Sequence, residues 1–263
     1  MRHSLALILA LMLAGCGLLP EYKEESVDAW SVSRLYEEAK AEIDSGNYEK
    51  ATEYLEKLEA RFPYGKYAQQ AQLELAYVYY KNSDAASAIA AADRYIKFHP
   101  NSSGVDYAYY LKGLANFIGE TGIISSLVGK DVSERDPKPG IDSFEAFKAL
   151  VTRFPDSKYA PDARLRMQYL ANALAMHEIH VAEYYYRRGV YVAAINRAQK
   201  VLEEFPKTPA TERALVVMAH SYDKLGMDGL RDDAKRVLDK TYPQWNEPDA
   251  ASKEKTPWWQ IWK

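Results

Sequence analysis

Residues 181–206 read V-A-E-Y-Y-Y-R-R-G-V-Y-V-A-A-I-N-R-A-Q-K-V-L-E-E-F-P, and this stretch decides the fold. A small residue, Ala182, is followed by Tyr185, Gly189, Tyr191, Ala194 and Pro206. Gly189 breaks one helix. Ala194 lets a second helix approach the first closely, and Pro206 stops the second, because proline lacks the amide a helix needs. The unit is a helix, a turn and a helix.

The unit recurs. An aromatic residue and a proline close a helical stretch at Phe62-Pro63, Phe98-His99-Pro100, Phe154-Pro155, Phe205-Pro206 and Tyr242-Pro243. Eight residues beyond the first four prolines stand Ala71, Ala108, Ala163 and Ala214. Twelve residues before three of them stand Ala51, Ala88 and Ala194. Consecutive prolines lie 37, 55, 51 and 37 residues apart, so two intervals hold one unit and two hold a unit plus an excess of 18 or 14. Constant offsets suit a solenoid, in which each unit stacks only on its neighbours. The unit resembles the tetratricopeptide (TPR) repeat of ~34 residues. The expected fold is all-α, an α-solenoid of about five TPR-like helix-turn-helix repeats over residues 32–243.

Residues 1–15 read as a lipoprotein signal peptide. Arg2 and His3 precede an apolar run, residues 5–14, that is too short for a spanning helix of ~20 residues. The run ends in Leu13-Ala14-Gly15-Cys16, the pattern of a bacterial lipoprotein signal box, and Cys16 is the only cysteine, so no internal disulfide forms. Cys16 is therefore the expected lipidation site, and several acyl chains on one residue exceed the weak anchoring of a single chain. Residues 16–31, with Pro20 and little periodicity, are expected to form a lipidated, flexible tether. Gly17, rather than Asp, follows Cys16, which by likeness to lipoproteins points to outer-membrane delivery on the periplasmic face.

Within the solenoid, Leu35, Tyr36, Ala39 and Ile43 recur at helical spacing, and Gly46-Asn47-Tyr48 is the first turn. Ala71, Leu75, Ala76 and Tyr79 should face the partner helix of the second unit, where Asn82-Ser83-Asp84 replaces the turn glycine. Gly113 takes a close-packing position in the third. Residues 119–140 hold Gly119, Gly122, Gly129, Pro137, Pro139 and Gly140 and read as a loop insertion, with a short apolar turn near residues 123–128. The 14-residue excess of the fourth unit contains no Gly or Pro between Pro161 and Gly189, and 14 residues are ~3.9 turns, so one long helix is expected. Residues 244–263 form a Trp-rich C-terminal tail.

Charge is near balance, 34 basic against 37 acidic residues, which gives a nucleic-acid role no support. No catalytic constellation appears. His177-Glu178-Ile179-His180 lacks the i,i+4 histidine spacing of a zinc-protease helix. Asp131, Glu134 and Asp136 lack the alternation and glycine of an EF-hand loop. Neither a metal nor any cofactor beyond the covalent lipid on Cys16 is expected. The unusual feature is 21 tyrosines on a helical scaffold. Aligning units on their Ala and Gly anchors puts Tyr77, Tyr80 and Lys81 on one face of the second unit, and Tyr107, Tyr110 and Phe117 on the same face of the third. First helices line the concave groove in TPR folds, so these six residues are the candidate substrate groove. Tyrosine offers a broad apolar face with a polar tip. The competing reading is that Tyr107 and Tyr110 fill core.

Three further stretches carry a closer resemblance: R-F-P-Y-G-K-Y-A-Q-Q-A-Q-L-E-L-A-Y-V-Y-Y-K-N at residues 61–82, D-V-S-E-R-D-P at 131–137, and V-A-E-Y-Y with R-G-x-Y-V-A and Asn196-Arg197 from residue 181 onward. Together with the lipobox they resemble the BamD (ComL) family, the TPR lipoproteins of the outer-membrane β-barrel assembly machinery. The resemblance implies a scaffold and not an enzyme. It implies as partners the barrel subunit, held through its periplasmic domains, the machinery's other lipoproteins, and unfolded outer-membrane proteins with aromatic-ended terminal strands. It also implies attachment to the outer membrane through the lipid, and a partner contact at Arg197. The alternative is a TPR lipoprotein pilot for a pilus or secretion pore, from which the D-V-S-E-R-D-P stretch distinguishes it. The departure is the tail, with Trp258, Trp259, Ile261 and Trp262 within five residues. Such a patch is seldom left in water. Three fates stay open: a cap over the fifth unit, a partner contact, or contact with the membrane.

Overall fold

In α1 (Val32–Ser45) Leu35, Ala39 and Ile43 sit one turn apart and are buried. Ala51, Leu55 and Leu58 of α2 (Tyr48–Arg61) meet them in one cluster. Ser31 caps α1 by accepting from the Arg34 amide. Gly46 ends the helix at φ 82°, a left-handed conformation open to a residue without Cβ. Asn47 then caps α2 through the Lys50 amide. Sequence alone thus specifies helix, stop, cap and helix.

The computed structural model describes residues 26–121 and 136–245. Cys16 and the signal segment, residues 123–128, residues 131–135 of the D-V-S-E-R-D-P stretch and residues 246–263 of the Trp-rich tail lie outside the described residues. The remaining helices are α3 (Lys66–Lys81), α4 (Ala85–Phe98), α5 (Val105–Thr121), α6 (Lys138–Arg153), α7 (Ala160–Arg187), α8 (Tyr191–Glu204), α9 (Ala210–Lys224) and α10 (Asp228–Thr241). Among the described residues these are ten helices in five successive hairpins, with no strand. Each hairpin packs on the next, and α1, α3 and α5 touch in series, as do α7 and α9. The first helices therefore form one layer and the second helices another.

Every second helix ends by one device. Its cap residue, Phe62, His99, Phe154, Phe205 or Tyr242, is turned to φ between −132° and −127°. The proline that follows crowds that residue out of the helical region. In the second hairpin the cap is His99 and not Phe98. The His99 ring lies 5.0 Å from Tyr95 and its Nε2 bonds Gln72 at 2.8 Å, while Phe98 is exposed.

Several boundaries differ from the sequence reading. Val27–Ala29 form a 3-10 turn, and Trp30 packs on Tyr54 at 5.4 Å, so the fold begins before residue 32. The Trp30 ring also lies under the Arg34 guanidinium. Helix α5 runs on to Thr121 and α6 starts at Lys138, with Pro139 in its first turn, where a missing amide costs nothing. Tyr79 is half-buried, and its hydroxyl reaches back to Glu56 of the preceding hairpin at 2.5 Å. The long helix is a single one, α7, 28 residues. Its first half packs through Ala163 and Leu170 on Phe147 and Leu150. Its second half packs through Ala175, Ile179 and Ala182 on Ala194, Ala198 and Val201. One helix thus serves two successive partners.

Candidate functional site

The first-helix layer carries a seam of half-buried aromatic rings. Tyr107 and Tyr110, one turn apart on α5, both stack on Tyr159 at the head of α7, with centroids 4.9 and 4.8 Å away. The Tyr110 hydroxyl donates to Asp162 at 2.7 Å, and Arg166 Nε donates to the same carboxylate oxygen at 2.6 Å. Arg166 in turn covers the Phe117 ring at 5.0 Å, and Phe117 meets Tyr169 edge-on at 5.6 Å. Toward the N-terminus, Tyr80 lies between the clusters of Leu111 and Phe147. Tyr77 packs edge-on against Tyr48 at 6.4 Å, and the exposed Lys81 ammonium sits over that same Tyr48 ring at 5.5 Å.

The structure thus brings Tyr77, Tyr80, Tyr107 and Tyr110 into one neighbourhood, with Lys81 at its edge and Phe117 further along. Each ring has both a packing partner and an exposed portion. Burial pushes the Tyr110 hydroxyl up to about 12, helped by its bond to Asp162. Burial likewise raises Tyr107 well above the ordinary tyrosine value. Burial alone would raise Asp162, but the bonds from Arg166 and Tyr110 prevail and hold it below the usual carboxylate range. At neutral pH the seam therefore presents uncharged rings with hydroxyl tips. It suits the gripping of an apolar or aromatic side chain.

Sequence reasoning missed Tyr159, Asp162, Arg166 and Tyr169. A signal was present: Tyr67 and Tyr159 each stand four residues beyond a Phe-Pro pair, at Pro63 and Pro155. Tyr67 packs on Tyr36 at 5.4 Å, the counterpart of Tyr159 on Tyr107.

Arg197 on α8 does not stand free. Its Nη1 donates to Glu178 of α7 at 3.0 Å, and Lys200 donates to the other Glu178 oxygen at 2.7 Å. Glu178 is only 7% exposed, while the Arg197 side chain is 43% exposed. Burial would raise the Glu178 carboxyl, but the bonds from Lys200 and Arg197 prevail and lower it. Nearby, Glu183, inside the V-A-E-Y-Y stretch, is 4% exposed and accepts from Arg213 of α9 at 2.6 and 3.2 Å. His177 and His180 are both half-buried on α7.

Stacked helical hairpins with an aromatic seam along one layer define a helical-repeat scaffold of the TPR type. A family model described as YfiO, outer membrane lipoprotein, matches residues 28–237. An outer membrane protein assembly factor BamD of Neisseria meningitidis (serogroup B, strain MC58) is 40% identical over 267 residues, covering 98% of each chain. The protein of the same name from Vibrio cholerae is 36% identical, covering 90% of this chain and 97% of that one. One from Xylella fastidiosa (strain Temecula1) is 35% identical, covering 94% and 83%. The chain belongs to this BamD (YfiO) family of outer membrane lipoproteins.

Proposed function

We propose that this chain is a non-catalytic scaffold of outer-membrane protein assembly, anchored by lipid on Cys16 at the periplasmic face of the outer membrane. The observation that carries the reading is the full-length likeness to a protein named as an assembly factor, 98% of both chains. In this role it holds the barrel subunit of the β-barrel assembly machinery through that subunit's periplasmic domains, alongside the machinery's other lipoproteins. It also receives unfolded outer-membrane proteins. The tyrosine seam supports the second task. An extended strand ending in an aromatic ring finds in Tyr77, Tyr80, Tyr107, Tyr110 and Phe117 half-exposed rings to stack on, and in Lys81 a cation for a terminal carboxylate.

A photo-crosslinker placed at Tyr77, Tyr80 or Tyr110 should capture the C-terminal strand of an outer-membrane barrel protein. Crosslinks confined to neighbouring hairpins would assign the seam to packing alone. Pull-down from solubilised outer membrane should recover a large β-barrel protein with periplasmic repeats. Recovery of a secretin alone would overturn the assembly reading.

A further inference from the structure

The corners that join one hairpin to the next carry a charge pattern that the assembly reading leaves unused. Each corner runs from the end of a second helix to the start of the next first helix, so the corners line one edge of the stack. Hydrogen bonds tie them in series. His99 of the second corner reaches Gln72 of α3 at 2.8 Å, and the Ser157 hydroxyl of the third donates to Asp106 at 2.6 Å. The first three corners, residues 61–66, 97–106 and 153–164, hold Arg61, Lys66, Lys97, Arg153, Lys158 and Arg164. Among the described residues none of these six has a carboxylate within ion-pair range. Cations on the neighbouring helix faces, Arg94, Lys112 and Arg166, are each paired. Of the carboxylates in the three corners, Ser157 engages Asp106, and Tyr110 and Arg166 engage Asp162, which leaves Asp156 against six cations. The whole chain has a net charge of −3, so the edge reverses its sign.

Helix stability accounts for only part of this. Arg61, Lys97 and Arg153 stand in last turns, where the helix dipole favours a cation. Lys66 opens α3 and Lys158 stands two residues before α7, where the dipole repels one. Bare aromatic rings lie among these charges. Tyr64 at the first corner is 91% exposed and Phe98 at the second is 63% exposed. The Lys97 ammonium lies over the Phe98 ring at 5.9 Å, so charge and ring are presented together.

Unpaired cations with protruding aromatic rings fit the headgroup layer of an anionic bilayer. Lipid phosphates accept from lysine and arginine, and aromatic rings settle at headgroup depth. An acidic protein would answer the charge, but rings that stand singly on separate corners suit a fluid layer better than a fixed surface. The chain also enters the fold here. Arg61 Nη1 donates to the Val27 carbonyl at 3.3 Å, so the first described turn lies against the first corner. Cys16, the proposed anchor, is ten residues before Ser26, a reach of at most ~35 Å. We infer that the corner edge of the first three hairpins rests on the anionic membrane surface, with Tyr64 and Phe98 at headgroup depth. The tether sets how far the scaffold strays, and the edge sets which way it faces. The inference takes only the anchor from the proposed function, and it concerns lipid rather than the assembly partners.

The test uses the full-length lipidated chain in vesicles of phosphatidylcholine, alone or with phosphatidylglycerol added. Cys16 is the only cysteine, so one added thiol can be labelled selectively once Cys16 carries lipid. Nitroxides at Tyr64→Cys and Phe98→Cys should be shielded from a water-soluble relaxing agent in the phosphatidylglycerol vesicles. A nitroxide at Met227→Cys, in a turn on the opposite edge, should stay in water. Lys66→Glu combined with Lys97→Gln should lower the shielded fraction by roughly tenfold or more. A glutamate suits the start of α3, so unchanged circular dichroism is expected of that variant. Labels at 64 and 98 as open to water as the one at 227 would overturn the inference. So would shielding that is equal in phosphatidylcholine, survives the double variant, or requires a second polypeptide. The pull-down that tests the assembly reading is made in detergent, without a bilayer, so the two readings can fail separately.

Discussion

At Gly113 the backbone of α5 runs against the buried Phe147 ring of α6. A Cβ built there would meet three ring carbons at 2.4 to 2.7 Å, and the Gly113 carbonyl accepts from the buried Ser143 hydroxyl at 2.8 Å. Helix propensity alone would favour alanine by ~1 kcal/mol, but overpacking a closed site costs ~1–3 kcal/mol. Gly113→Ala should therefore lower stability in urea, and the loss should shrink in a Phe147→Leu background, where the ring no longer blocks Cβ. The Glu178 carboxylate makes a second prediction. Its folded pKa is depressed below the ordinary 4.5, so its stabilising contribution is complete above that value and is lost as pH falls through the folded pKa. The denaturation midpoint should drop below about pH 4.5 and drop less steeply in Glu178→Gln. Arg197→Glu would set a second carboxylate against Glu178. A loss of ~1–3 kcal/mol is expected, less than for a fully buried pair because Arg197 is partly exposed and Lys200 remains. Weak partner recovery with that variant reports on the α7–α8 joint as well as on any contact. Arg197→Gln, with Lys200 keeping Glu178 satisfied, separates the two.

At the scale of elements, the turns inside the hairpins are built alike and finished unequally. Gly46, Gly189 and Gly226 occupy left-handed positions at φ 82°, 75° and 68°. In the second hairpin Ser83 holds that conformation at φ 62°, the one non-glycine residue with positive φ among the described residues. A Cβ in that region costs roughly 1–2 kcal/mol. Part of the gain from removing it is offset by the greater freedom of glycine in the unfolded chain. Ser83→Gly should thus stabilise by ~0.5–1 kcal/mol, read as a higher melting temperature. Helix α4 has a side-chain cap in Asp84, which accepts from the Ser87 amide at 3.0 Å, whereas α8 begins after Val190, which has no acceptor. Val190→Asp should add a cap worth ~1 kcal/mol and complement the helix dipole. An unchanged melting temperature would mean that the first turn of α8 is already satisfied by water.

Across the whole molecule, stability is set by the joints between hairpins, since each hairpin touches only its neighbours. The joint between α7 and α9 depends on Glu183 and Arg213, both largely buried. Arg213→Ala strands a buried carboxylate, at a cost of ~3–5 kcal/mol. It should loosen the fifth hairpin while the first three persist, seen as an early phase in thermal unfolding and early exchange in α9 and α10. A single sharp transition would show that the stack melts as one unit. The sequence by itself determined the hairpins, their order and most of their ends, though not the start before residue 32 or the borders of the 119–140 insertion. Glycine turns, capping residues and the proline after each cap act within a few residues of chain, so they can be read without a structure. It also determined the unbroken α7, because a helix with neither Gly nor Pro has no local reason to stop. Only the tertiary structure decided which rings share the seam. Tyr159 lies 49 residues from Tyr110 and reaches it only because α7 is stacked on α5. Only the tertiary structure joined Arg197 to Glu178 and Arg213 to Glu183. Those pairings depend on the rotation of one helix against another, which is set by packing summed over both surfaces and leaves no local mark in the chain.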